Sequence, residues 1–235
     1  MPLKEFSPRR NAHTASSLAA FMMAQAVPPT AAHCRAMAKQ RKAFQAYLLQ
    51  NREVEFSFRR KDYYIRIVGA AVYPQGFAAI APIVNHFTGS NMLCDIGNGT
   101  MNILRTMDSK VDLRQMFTEK FGVQQCVLAV QEALMREHHA ELEEQMIHNF
   151  LRYGTIGIDE ELEKTMKLTA RDYAKKVFRK LREHGYDPRI MKLYVVGGGG
   201  CLLKNFFPIA PDKIIINGDI CATAKGYEYM AEVQR

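Results

Sequence analysis

Two glycine-rich runs carry the residue types best suited to phosphate chemistry: Asp95-Ile96-Gly97-Asn98-Gly99-Thr100 and Gly197-Gly198-Gly199-Gly200. Glycines let a backbone approach phosphate oxygens closely, so that successive amide N–H groups point at a ligand. In the first run Asp95 could hold a hydrated Mg²⁺ and Thr100 could donate a hydroxyl, with Asn98 between the two glycines. A tight hairpin that uses Gly-Asn-Gly for its positive φ angles accounts for the same residues. In the second run, consecutive glycines cost backbone entropy that a simple turn does not require. That suggests a group lying flat against them, and a helix starting at Cys201-Leu202-Leu203 favours an anion. The alternative is a flexible connector. Gln75, in the turn Pro74-Gln75-Gly76, has a neutral amide that could orient a water without competing for its proton. A solvated turn glutamine is the plainer reading.

These runs need strands to carry them and helices to brace them. Met92-Leu93-Cys94-Asp95 is a short apolar run closed by an acid, and Thr100 to Leu104 can return beside it, which makes Asp95–Thr100 the polar tip of a hairpin. Lys192-Leu193-Tyr194-Val195-Val196 is a buried strand that leads into the four glycines, and Lys213-Ile214-Ile215-Ile216 is another. Upstream, Ala31 to Gln50 reads as a helix, followed by a hairpin of Val54–Phe58 and Tyr63–Val68 around Arg59-Arg60-Lys61-Asp62. Pro74-Gln75-Gly76 turns into a helix over Phe77–Ala81. Val111 to His184 reads as helical with breaks at Gly122 and Gly154–Gly157, and Gly185 ends the last helix of that block. Asp219 is a good N-cap for a final helix through Ala222, Ala224, Tyr227 and Met230.

Composition sets the outer bounds. With 235 residues, 48% of them apolar, the chain can bury one large core or two modest ones. It has no run of eighteen apolar residues, so a membrane span is not expected. The basic, Ala-rich start resembles a weak signal peptide, but Ala26-Val27-Pro28-Pro29 is a poor cleavage site and a cytoplasmic location is expected. Cys34, Cys94, Cys126, Cys201 and Cys221 are scattered without a CxxC pair, which points to reduced core or near-core thiols. His138, His139 and His148 lie among glutamates without a third ligand at suitable spacing, and read as solvated helix residues. The net charge of +8 is dispersed, and the basic stretch Arg171–Arg182 reads as the outer face of a packed helix. Direct sequence-specific DNA binding is not expected.

The order of these pieces resembles the actin, heat-shock ATPase and sugar kinase superfamily, and most closely the ParM/StbA family of plasmid-segregation actin-like ATPases. VYPQGFAAI is similar to that family's first connecting segment and LCDIGNGTMNIL to its second phosphate loop. LYVVGGGGCLLKNF is similar to its adenosine loop, and NGDICATAKGYEYM to its second connecting helix. The helix and hairpin from about Ala24 resemble the segments upstream. The resemblance implies an α/β, actin-like ATPase (RNase H-like) fold with two domains. Residues 24–90 would form the remainder of the first, 91–218 the second, and 219–235 a C-terminal helix returning to the first. The family opens with a strand ending in Asp-x-Gly, whereas Met1 to Met23 contains no glycine, so 1–23 is expected to be a divergent or non-native start and the first domain incomplete. The implied cofactors are ATP and Mg²⁺, with ATPase activity if the first phosphate loop is supplied. Asp95 would serve Mg²⁺ and the phosphates, while Gly97, Asn98, Gly99 and Thr100 would cradle phosphate. Gln75 would position the attacking water, and the run from Gly197 to Gly200, Gly198, Gly199 and Gly200 above all, would lie against the adenosine. The implied function is a filament-forming protein of plasmid or mobile-element DNA segregation that works through a DNA-bound adaptor protein. A non-catalytic remnant or binding module of the fold, or a kinase built on it, is the alternative.

Overall fold

The computed structural model describes residues 33–208 and 212–233, and the expectations for residues 1–23 and for the start of the upstream segment fall outside them. The chain divides into two compact units: one holds the described residues up to Pro82 together with those from Thr223 onward, the other Ile83–Ala222.

In the first unit, α1 (His33–Leu48) precedes a hairpin of β1 (Glu53–Phe58) and β2 (Lys61–Arg66), paired antiparallel with Phe56 opposite Tyr63. Its two-residue turn is Arg59-Arg60, with φ of 51° and 59°, the I′ geometry whose twist matches that of the flanking strands. Phe56 and Tyr63 stack at 5.3 Å, and Gln45 Nε2 donates to the Ala70 carbonyl at 2.5 Å. The short helix α2 (Phe77–Ile80) follows Gly76, whose φ of 79° demands glycine there. Helix α2 packs against α7 (Ala222–Val233) through Ala78, Ala81, Tyr227 and Met230. The approach is close: a Cβ on Gly226 would stand 1.7 Å from the Ala78 carbonyl oxygen. Helix α7 begins later than Asp219, whose Oδ1 accepts from the Cys221 amide at 2.8 Å in the turn before it.

The second unit is a five-stranded mixed sheet in the order β5-β4-β3-β6-β7, built from β3 (Ser90–Ile96), β4 (Met101–Met107), β5 (Lys110–Glu119), β6 (Lys192–Val196) and β7 (Ile214–Ile216). Strand β3 runs antiparallel to β4 and parallel to β6, and β6 is parallel to β7. Met92, Cys94 and Ile96 alternate onto the face covered by α3 (Val123–His138), α4 (Glu144–Tyr153), α5 (Glu160–Glu183) and α6 (Gly200–Phe206), and all join the main core. A fully buried ring such as Phe150 contributes roughly 1.5–3 kcal/mol there. Helix α5 starts at Asp159, whose Oδ1 accepts from the amides of Glu161 and Leu162, and it ends with Gly185 at φ 85°.

One expectation fails here. Residues 110–119 form a strand, not the start of a helical block. The register against β4 shifts between Leu104 and Arg105, where Leu104 faces Met116 and Arg105 faces Asp112. The residues between form a bulge in which Asp112 Oδ1 accepts from the Arg114 amide at 3.0 Å, and this breaks the period-two pattern that marks a strand in sequence. Among the thiols, Cys94 and Cys126 are buried, Cys201 is half-buried and Cys221 is exposed, so Cys221 is not a core residue.

Candidate functional site

Strands β3 and β6 are parallel neighbours, with Asp95 beside Val196, so the two glycine runs leave the sheet at the same edge. Ligands of α/β sheets bind at the carboxyl ends of parallel strands, and both runs lie there. Asp95, Gly97, Asn98, Gly99 and Thr100 are therefore brought together with Gly197, Gly198, Gly199 and Gly200. Gln75 belongs to the first unit, half-buried in the turn ahead of α2.

Alternation along β3 sends the Asp95 side chain to the face opposite the helices. It is 7% exposed and, among the described residues, no donor or cation pairs with its carboxylate. Burial alone pushes its pKa up to about 6. A buried acid without a partner is destabilising unless a cation or a donor meets it, which makes Asp95 a candidate site residue.

The glycines divide into two groups. Gly197 has φ 83°, and a Cβ on it would stand 2.6 Å from Asp95 Oδ1 and from the Ile96 carbonyl oxygen. A Cβ on Gly199 would stand 2.2 Å from Ile96 Cγ2, and one on Gly200 would stand 2.9 Å from Ile216 Cγ2. The Gly199 amide also donates to the Ile96 carbonyl at 3.0 Å. These three are glycine because the chain packs on itself. Gly99 and Gly198 are different: neither has a positive φ, and nothing lies within 4 Å of where a Cβ would be. Gly97 also lacks a positive φ, so the tip does not use its glycines for left-handed conformations.

The tip is held from behind by α3. The amides of Val123 and Gln124 donate to the carbonyls of Gly97 and Asn98 at 3.0 and 2.8 Å, and the Gly97 amide donates to Thr100 O at 2.9 Å. Gly122 lies under the tip with no room for a side chain: a Cβ there would meet Asn98 O at 2.3 Å. Its amide donates to Gln125 Oε1 and its carbonyl accepts from the Tyr173 hydroxyl, both at 2.7 Å. In sequence, Gly122 reads as a helix break and Tyr173 as a core position. The only signal of more was a glycine immediately before an apolar-periodic segment. A separate cavity of about 320 Å³ is lined by Arg171, Lys175, Asn205, Phe206, Phe207 and Pro208, and none of these belongs to the glycine runs.

With this topology and site, the chain has the α/β actin-like ATPase fold. It is similar to Ta0583, an archaeal actin homologue, at 20% identity and a TM-score of 0.65, over 80% of this chain and 64% of that one. It is also similar to an Alp12 filament subunit, at 18% identity and a TM-score of 0.62, over 84% and 64% of the two chains. The third likeness is to ParM in a 15-stranded filament from Clostridium botulinum, at 16% identity and a TM-score of 0.59, over 83% and 63%. The archaeal homologue has also been solved in complex with ADP. The chain thus spans slightly less than two thirds of the length of these proteins. No protein-family model matches the sequence, and neither does any curated protein sequence. Among the described residues, no helix is long and apolar enough to cross a membrane.

Proposed function

We propose that this chain belongs to an actin-like, ATP-binding, filament-forming protein of plasmid or mobile-element DNA segregation. The observation that carries the nucleotide reading is the pairing of an unpartnered, buried Asp95 with two glycines, Gly99 and Gly198, that neither backbone conformation nor packing requires. Backbone left bare without an internal reason leaves a surface on which a ligand can lie. The ADP complex of the archaeal homologue and the filaments of Alp12 and ParM support the same direction.

The residues fit Mg²⁺-ATP as follows. Asp95, ionised above pH 6, holds the hydrated cation. The outward amides of Asn98 and Gly99 and the Thr100 hydroxyl take phosphate oxygens, and the bare backbone at Gly198 takes the adenosine. Gln75 orients the attacking water through its amide, accepting no proton from it. When bound, Mg²⁺ neutralises the charge that develops on the transferred phosphoryl group. The domain reading stays with the nucleotide reading: residues 24–90 and 219–235 form one domain, and 91–218 the other. Assembly is with further copies of the chain in a filament coupled to DNA by an adaptor, in the cytoplasm.

Calorimetric titration with Mg²⁺-ATP tests this. Saturable binding by the wild type that is lost in Asp95→Ala is the expected result, and absence of binding by both would overturn the nucleotide reading. Nucleotide-dependent pelleting tests filament formation. Binding without turnover would instead favour a non-catalytic module of the fold.

A further inference from the structure

Three amides at the N-terminus of α3 are taken up by the chain itself. A helix leaves its first amides without intrahelical partners and carries a partial positive charge there. Here the amides of Val123 and Gln124 are taken by Gly97 O and Asn98 O, and the Gly122 amide is taken by Gln125 Oε1. The helix therefore offers none of these three amides to a ligand.

It acts through the loop instead. In a planar trans peptide the C=O and the following N–H point in opposite directions. The Gly97 and Asn98 carbonyls are turned toward α3, so the N–H groups of Asn98 and Gly99 are turned away from it. Among the described residues neither of these amides meets an acceptor, and both residues are exposed. A hydrogen bond accepted at a carbonyl also polarises its peptide and strengthens the N–H on the other side.

What fixes α3 in that position is Gly122. Its missing side chain lets the loop come within contact distance, its amide is held by Gln125, and its carbonyl is held by the Tyr173 hydroxyl from α5. Tyr173 is 5% exposed and stacks on Phe121 at 4.8 Å, so the hydroxyl has one orientation to offer, and burial raises its pKa and keeps it a donor.

We propose that Gly122, Gln125 and Tyr173 are positioning residues that lock α3 behind the Gly97–Gly99 tip and thereby aim two polarised amides at an anionic ligand. This rests on the nucleotide reading for the ligand's identity, but the lock itself can be measured without any ligand.

The experiment uses this chain with Tyr173→Phe, which keeps the ring and removes the hydroxyl, and with Gln125→Ala and Gln125→Glu, the last restoring an acceptor oxygen. Amide exchange at Val123 and Gln124 is followed in the ligand-free protein, with Val127 and Val130 as internal references, beside Mg²⁺-ATP affinity. Tyr173→Phe and Gln125→Ala are expected to speed exchange at Val123 and Gln124 but not at the references. They should also weaken Mg²⁺-ATP between about twofold and tenfold, the range that one hydrogen bond spans. Gln125→Glu should restore both. A wild type that binds no nucleotide, with exchange that still responds to the variants, would remove the nucleotide reading and leave the lock supported. Exchange at Val123 and Gln124 that ignores both variants would overturn the lock, and faster exchange with unchanged affinity in a wild type that binds Mg²⁺-ATP would overturn the aiming of the two amides at the ligand.

Discussion

Two glycine runs stand side by side at the end of the same pair of strands, and they are glycine for different reasons. In Gly197–Gly200, three of four positions are dictated from inside: Asp95, Ile96 and Ile216 occupy the space a side chain would need. In Gly97–Gly99 no φ is positive and no Cβ would meet a neighbour closer than 3.5 Å. The crowding there falls on Gly122, one layer behind. A run of glycines is thus not one signal, because close self-packing and a surface left open for a ligand spell the same letters.

Substitution separates the two. The largest effect is expected at Gly199→Ala, whose methyl would overlap Ile96. It should lose roughly 2–3 kcal/mol of stability in urea denaturation, and an unchanged midpoint would break the assignment of that run to packing.

Next comes Asp95→Asn. The wild-type carboxyl titrates at about 6 when folded and near its ordinary value of 3.8 when unfolded, so the folded state binds the proton more tightly. Stability is then highest below the unfolded value and falls as pH rises from about 4 to about 6. At pH 7 the variant is freed of this and should gain roughly 2–3 kcal/mol, with a flatter pH profile and no Mg²⁺-ATP binding. A variant less stable than the wild type at pH 7 would remove the argument that Asp95 is held uncompensated for a ligand.

The smallest effects on folding are expected at Gly99→Ala and Gly198→Ala, within about 0.5 kcal/mol of wild type, because each methyl enters open space. Both should nevertheless weaken Mg²⁺-ATP about tenfold by displacing its phosphate or adenosine. Wild-type affinity in both would sharpen the comparison in the other direction, leaving Asp95 and the amides as the whole site.

Much of this was legible in sequence because local chemistry was strong. The hairpin around Arg59-Arg60 and the strands into Asp95 and into Gly197 follow from β-branched and aromatic runs closed by turn residues. Strand β5 was not legible, since its bulge puts Asp112 and Arg114 out of phase with the alternation that marks a strand. The Tyr173 hydroxyl was hidden for another reason. In sequence Tyr173 is one more apolar position on a helical stripe, and its partner Gly122 lies 51 residues away. Which of the glycines are crowded could not be read at all, because the crowding atoms belong to Ile96, Asn98 and Ile216.

The bare backbone of Gly226 against Ala78 also sets an order of events during synthesis. Residues 83–222 are contiguous, so the second unit can close its core as soon as it has left the ribosome. The first unit is made of two stretches with that entire unit between them, and the cluster that buries Ala78 and Ala81 is completed by Tyr227 and Met230 from the second stretch. Until α7 has been made, α2 presents an apolar face to water. The unit whose chain begins first is the one that must wait to finish folding.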